Sequence, residues 1–200
     1  MVAQKKKMQS SAVELARKLV QLPSLNPPGQ EKDCIILLAH MLTEAGLDVR
    51  TYEFAPGRPS IVAHAAGSGN AKPLAFTGHV DVVPLGEKPW TVEPFAGEIR
   101  DNKLFGRGAS DMKSGVAAFV TATLSHVRSN TPLKRGITLV ITAGEETGCE
   151  GAFHLARRGA LGSADLLIVA EPSSNRPIIA HKGSVRLRIS EGKDRPLINA

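Results

Sequence analysis

The sequence predicts an α/β fold: a three-layer sandwich with a largely parallel central sheet and helices on both faces. Three observations carry that expectation. Short branched-aliphatic runs, Ile137–Thr142 and Leu166–Val169, have the length and composition of buried strands. Segments with apolar residues three and four apart alternate with these runs, which is the pattern of strand–crossover–strand units. Several strand candidates end in carboxylates or an imidazole, at the sheet edge where open α/β folds place their sites.

Taken in order, residues 1–10 are polar, include Lys5, Lys6 and Lys7, and read as a disordered tail. Ser11 and Glu14 have capping-box spacing, and Val13, Leu15, Ala16, Leu19, Val20 and Leu22 give a helix an apolar side until Pro23 stops it. The stretch Pro23–Gly29, with Pro27 and Pro28, is a rigid turn. A second helix is expected near Gln30 to Ala45, with Ile35, Leu38, Ala39 and Leu42 on its apolar face and Gly46 as its stop. Strand candidates follow at Leu47–Phe54, Ile61–Ala65 and Leu74–Thr77. Asp101 and Asn102 lie between two short alternating runs and read as a hairpin turn. A helix from Lys113 to about Ser125 carries Gly115, Ala117 and Ala118, small residues that permit close packing on a sheet. The strand Ile137–Thr142, a helix at Ala152–Arg158 and the strand Leu166–Val169 complete the order.

With 200 residues, 42% of them apolar, the chain can bury one substantial core, or one core and the start of another domain. Six Phe, one Tyr and one Trp are too few to build that core, so Leu, Ile, Val and Ala must. Cys34 and Cys149 lie far apart with no Cys-x-x-Cys spacing, which argues against a disulfide framework or a thiolate metal site and fits a reducing, cytoplasmic setting. No run reaches signal-peptide or membrane-span length, so no membrane partner is expected. The net charge of +6 includes the three tail lysines, and no basic stripe is interleaved with aromatics, so no nucleic-acid partner is expected either.

The chemistry lies at the strand ends. One strand candidate leads into His79 and Asp81, another into Glu145 and Glu146, a third into Glu171, and Asp111 opens the helix between them. Each carboxylate alone is an ordinary surface residue. Five carboxylates and an imidazole at one sheet edge would repel strongly unless cations sat among them. Nitrogen and oxygen donors without thiolates suit zinc, with cobalt and manganese as alternatives, and a shared carboxylate would hold two ions roughly 3.5–4 Å apart. Asp81 is placed to accept from the second ring nitrogen of His79 and orient it. Adjacent residues at a strand end point in opposite directions, so one of Glu145 and Glu146 would bind metal while the other served as general base. His40, His126 and His154 fall in predicted helices and His64 in a strand, all as ordinary residues. Cys149 reads as packing. Gly106 to Lys113 could be taken for a phosphate loop, but the glycine that should precede the lysine is absent.

The segments His79-Val-Asp81, Gly108-Ala-Ser-Asp111-Met-Lys, Glu145-Glu146-Thr-Gly and Ala170-Glu171-Pro-Ser resemble, in order and spacing, the metal-dependent deacylases and exopeptidases that include acetylornithine deacetylase, succinyl-diaminopimelate desuccinylase, aminoacylase and glutamate carboxypeptidase. The turn from Leu22 to Gly29 and the stretch from Trp90 to Gly108 are also similar to that family. The resemblance implies a zinc-exopeptidase-like catalytic domain holding two divalent ions. His79 and Glu171 would bind one ion, Glu146 the other, and Asp111 would bridge them, with Glu145 as general base and Asp81 orienting His79. A glutamate at the Glu171 position goes with deacylases and carboxypeptidase-like members. The implied substrates are N-acyl amino acids or small peptides with a free carboxylate. An aminopeptidase of the same fold and a non-catalytic metal-binding fragment are the alternatives.

The resemblance also implies a domain plan: residues 11–182 as an incomplete catalytic domain and 183–200 as the start of a lid or dimerisation domain, in a parent expected to be a homodimer. Family members continue beyond this length and supply a last metal-binding histidine and an oxyanion-stabilising histidine. His181 matches a family segment at the exit from the catalytic domain and is not expected to bind metal. A strand is expected from about Ile178 to Ile189. After Lys193 the sequence leaves the family's Gly-Lys-x-Ala-His-Ser-Ser-x-Pro pattern, as a single-base frameshift would make it do; a naturally short homologue or a trimmed chain would look the same. Expressed as written, the chain is expected to be poorly soluble or oligomeric.

Overall fold

The computed structural model describes residues 12–129, 131–180, 183, 188–191 and 195–199. Helix α1 covers residues 12–20 and α2 Lys32–Glu44. Strands β1 (Asp48–Glu53), β2 (Pro59–Ala65) and β3 (Leu74–His79) follow. A small hairpin, β4 (Glu98–Arg100) and β5 (Lys103–Phe105), precedes an irregular turn at Ala109–Lys113 and helix α3 (Ser114–Arg128). Then come β6 (Ile137–Thr142), α4 (Glu150–Arg157), β7 (Leu166–Val169), β8 (Arg188–Glu191) and β9 (Arg195–Asn199). The proposed cap at Ser11, the tail and His181 lie outside the described residues.

The main sheet has five strands in the order β1-β2-β6-β3-β7. It is mixed rather than largely parallel. β1 with β2 and β2 with β6 are antiparallel, whereas β3 pairs in parallel with both β6 and β7. The five-residue link between β1 and β2 is long enough only for an antiparallel return, whereas β3 reaches β6 through α3, the long crossover that parallel pairing needs. The parallel half brings the carboxyl ends of β3, β6 and β7 to one edge.

Alternation along the strands divides the core between two faces. Ile61, Ala63, Leu139 and Ile141 join Leu15, Leu19, Ile35, Leu38, Val116 and Phe119 in one cluster under α1, α2 and α3, and burying each large aliphatic there contributes roughly 1.5–3 kcal/mol. On the opposite face α4 packs on β2, where a Cβ at Gly151 would meet Ser60 Oγ at 2.6 Å. Helix α3 lies close to β3 because Gly78 faces it: a Cβ there would stand 2.7 Å from Met112 Cε and 3.0 Å from Val116 Cγ2. Gly115 in turn abuts the carbonyl of Ala170, and Ala117 is buried, but Ala118 faces outward. In the β4–β5 hairpin, expected from the sequence, Asp101 and Asn102 adopt φ of 51° and 58°, the left-handed pair that a two-residue hairpin turn favours.

Two expectations about strands fail. Among the described residues β7 is an edge strand with all four side chains exposed, Leu166 at 55% and Val169 at 54%, because those residues pair it with β3 alone and place no helix over it. Residues 178–180 are not in a strand, 181–182 and 184–187 lie outside the described residues, and Arg188–Glu191 pairs with Arg195–Asn199 in the hairpin of β8 with β9.

Candidate metal centre

Strand β3 delivers His79 at its last position. The ring is 2% exposed, and its Nδ1 lies 3.0 Å from the Asp81 carbonyl oxygen and 3.4 Å from the Asp81 carboxylate. Asp81 therefore orients the imidazole, with its main-chain oxygen nearer than its side chain. The other ring nitrogen, Nε2, looks out at 3.2 Å from Asp111 Oδ1, 3.7 Å from Glu171 Oε1 and 3.8 Å from Glu145 Oε2. Ligand atoms of His79, Asp111 and Glu171 lie within 4.8 Å of one another, and so do those of His79, Glu145 and Glu146. The structure thus brings together all six side chains singled out at the strand ends.

Each acid reaches the site by a different local device. Asp111 sits in a break between the turn at Ala109 and α3, with extended dihedrals (φ −115°, ψ 103°). Gly108, at φ +80°, precedes it, and a Cβ there would stand 2.5 Å from Val82 Cγ1. Met112, fully buried, accepts the His79 N–H on its sulfur at 3.3 Å. Glu171 follows β7, held by Ala170 N–H donating to Thr77 O at 3.1 Å. The two glutamates are not at a strand end, so the opposite-facing argument does not apply to them. β6 stops at Thr142, Gly144 turns the chain at φ +75°, and Glu145 and Glu146 lie in the loop ahead of α4.

Asp81 holds that loop. Its Oδ1 accepts from Glu145 N–H at 3.1 Å and its Oδ2 from Glu146 N–H at 3.0 Å and from Asn26 Nδ2 at 2.8 Å. Burial alone would raise its pKa, but the hydrogen bonds from His79, Asn26 and the Glu146 backbone outweigh it and bring it down to about 2. His79 is the mirror case. Burial works against its charge, yet the Asp81 contact and the carboxylates of Glu171 and Glu145 push it up to about 9. Glu146 and Glu171 are both raised, first by burial and then by neighbouring carboxylates, with His79 acting the other way. Four acids crowded on one imidazole are an unbalanced negative cluster, and a divalent cation is the charge this donor set lacks.

Other side chains fall into place around this cluster. Cys149 opens α4 in a left-handed conformation, and its thiol lies 3.6 Å from Glu145 Oε1; it borders the acids, as its place directly after the turn that carries Glu145 and Glu146 allowed. Lys113 is fully buried and donates to the carbonyls of Leu19 and Leu22, both at 2.8 Å, so it faces the end of α1 and not a phosphate. His40 and His64 are exposed, and His126 and His154 half-buried, away from the acids. Sequence reasoning missed Asn26 and Thr147, which touch Asp81 or its partners. A turn rich in Pro and Gly reads only as punctuation.

Comparison with known proteins gives a consistent result. A family model described as Peptidase family M20/M25/M40 matches residues 75–198. A succinyl-diaminopimelate desuccinylase of Cereibacter sphaeroides is 45% identical over 135 residues, 67% of this chain and 34% of that protein. Among solved structures, human carnosine dipeptidase 1 superposes with a TM-score of 0.72 at 22% identity, covering 82% of this chain and 39% of that one. A dinuclear metal-binding peptidase of Bacillus subtilis gives 0.60 at 17% identity, covering 82% and 43%. These two likenesses show the shared fold. The chain spans 34% to 47% of the length of curated relatives it matches.

Proposed function

This chain belongs to peptidase family M20/M25/M40, and from that premise we propose that it carries the metal centre of a hydrolase that cleaves the amide bond of N-acyl amino acids or small peptides. The observation that carries the reading is the convergence of Asp111, Glu145 and Glu171 on the outward nitrogen of His79, with Glu146 in the same cluster. The desuccinylases that match at 33% to 45% identity favour an acyl amino acid as substrate. The dinuclear Bacillus subtilis peptidase of like fold favours two ions.

In this reading His79 and Glu171 would hold one ion and Glu146 the other, with Asp111 as a ligand available to both. Nitrogen and carboxylate donors without a thiolate fit zinc, and also cobalt or manganese. Ions bound there would polarise the scissile carbonyl and acidify nearby water. Glu145 takes a proton from the attacking water as the new carbon–oxygen bond forms, and returns it to the amine nitrogen as the carbon–nitrogen bond breaks. Asp81 keeps Nδ1 of His79 engaged so that Nε2 is presented to the acids. Free thiols at Cys34 and Cys149 agree with a cytoplasmic setting. Among the described residues no helix is long and apolar enough to cross a membrane. For the parent we propose a homodimer, with residues 183–200 opening a second domain.

The test is a panel of N-succinyl and N-acetyl amino acids and free-amine dipeptides, offered to the chain loaded with zinc, cobalt or manganese. Turnover of acyl substrates that Glu145→Gln abolishes while metal content is kept supports the reading. Turnover of dipeptides alone makes the chain an aminopeptidase, and one bound ion with no turnover makes it a metal-binding module. Activity surviving Glu145→Gln removes Glu145 as the base.

A further inference from the structure

We propose that Asn26 is a positioning residue for the metal centre, locking the turn that presents Glu145 and Glu146. Its importance for catalysis rests on the roles proposed above for those two acids; its hold on the turn does not.

The main chain of Asn26 is fixed first. Asn26 N–H donates to Val82 O and Val82 N–H to Ser24 O, both at 2.9 Å, and Ser24 Oγ donates to Val80 O at 2.6 Å, so this turn is zipped to the segment that carries Asp81. The side chain is 2% exposed and uses both amide hydrogens: one goes to Asp81 Oδ2 at 2.8 Å, the other to Thr147 Oγ1 at 3.0 Å. Turned over, the amide would set its oxygen against the Asp81 carboxylate, so the donors define the orientation.

Both recipients act on the same turn. Asp81 grips it from inside through the amides of Glu145 and Glu146. Thr147, having accepted from Asn26, donates to Glu150 Oε2 at 2.7 Å, and Glu150 is in turn bound by Arg58 Nη1 at 3.1 Å. Arg58 is anchored on the fully buried Glu31 at 2.6 Å. A continuous donor–acceptor path therefore runs from a buried ion pair near α2, round the far side of the turn, to Asn26. Only an amide of this length supplies two donors at that junction: aspartate would supply acceptors to a carboxylate, and leucine nothing. Without Asn26 the turn is held from one side, and the carboxylates of Glu145 and Glu146 lose their fixed relation to His79.

Two readouts on the 200-residue chain test this. Amide hydrogen exchange in the metal-free state compares wild type with Asn26→Leu, Asn26→Asp, Thr147→Val and Thr147→Ser. The proposal expects the Glu145 and Glu146 amides to exchange about tenfold faster or more in both Asn26 variants, with Leu139–Ile141 unchanged. Thr147→Val should show a smaller effect and Thr147→Ser near-wild-type protection. Cobalt titration followed by visible absorption should show the step that needs Glu146 weakened by about 10- to 100-fold in Asn26→Leu, with the other step kept. Unchanged amides at Glu145 and Glu146, an equal loss of protection in β6, or an unaltered second cobalt step would each overturn the proposal. If wild type takes up a single ion, the paired-metal reading fails, and the exchange data alone decide the hold of Asn26 on the turn.

Discussion

β6 and β7 flank the same strand, both pair with it in parallel, and both are built of branched aliphatics, yet their surroundings are opposite. β6 is buried along five of its six residues, between β2 and β3 with α3 against it, while all four side chains of β7 stand at 40% to 55% exposure. The metal centre inherits this asymmetry. His79, Glu145 and Glu146 belong to the covered half, where Asp81 and Asn26 fasten strand end and loop together. Glu171 hangs from the edge strand; its side chain, 43% exposed against 38% for Glu145, is about as open, so the difference lies in how each acid is anchored. A strand's apolar composition thus sets what it can bury, and its place in the sheet decides whether it does.

The sharpest way to break that contrast is to truncate matched residues. Leu139→Ala in β6 should cost about 3 kcal/mol in urea unfolding. Leu167→Ala in β7 should cost about 0.5 kcal/mol or less and should improve solubility. Equal losses would mean that β7 is covered in solution, for instance by a second copy. The next effect is smaller. Zinc at about 100 times its dissociation constant should stabilise the chain by about 2.7 kcal/mol. His79→Ala should abolish this gain, whereas Glu171→Gln, on the edge half, should only reduce it; thermal melts with zinc and with a chelator would show both.

The smallest effect is on pH and centres on the covered half, with Glu171 adding to the His79 shift from the edge half. In the metal-free chain His79 is raised to about 9 from an ordinary 6.5, so its contribution is complete below about pH 6.5 and is lost as pH rises through about 9. Asp81 is lowered to about 2 from 3.8, so its contribution is present above about pH 3.8 and is lost as pH falls through about 2. The two shifts describe largely one contact seen from its two ends. The metal-free chain should therefore be most stable between about pH 4 and 6.5 and lose a few degrees of Tm by pH 9.5. His79→Gln should flatten the alkaline limb. Metal uptake must displace the His79 proton, so apparent affinity should fall with pH below about 9.

The parts of this account that were legible in the sequence are those with local signatures. A short apolar run marked β3, branched runs marked β6 and β7, and the pattern of acids beyond them marked the site. What stayed hidden depends on neighbours in space. Nothing in Leu166–Val169 distinguishes an edge strand from a central one. The antiparallel half of the sheet depends on where β2 docks, on β6, far along the chain. Nothing in the sequence marks Lys113 as buried, because lysine seldom is, and the carbonyls of Leu19 and Leu22 that accept from it make its position tolerable. Asp81 was legible as a partner of His79 but not as the acceptor for two backbone amides, since backbone partners leave no mark in side-chain spacing.

The most direct test of the central claim, a paired metal centre on His79, is anomalous diffraction from crystals of the chain grown with zinc. The account predicts two peaks roughly 3.5–4 Å apart on either side of Asp111, one beside His79 and Glu171 and the other beside Glu146. Zinc found only at exposed pairs such as His40 with Glu44, with none at His79, would contradict it.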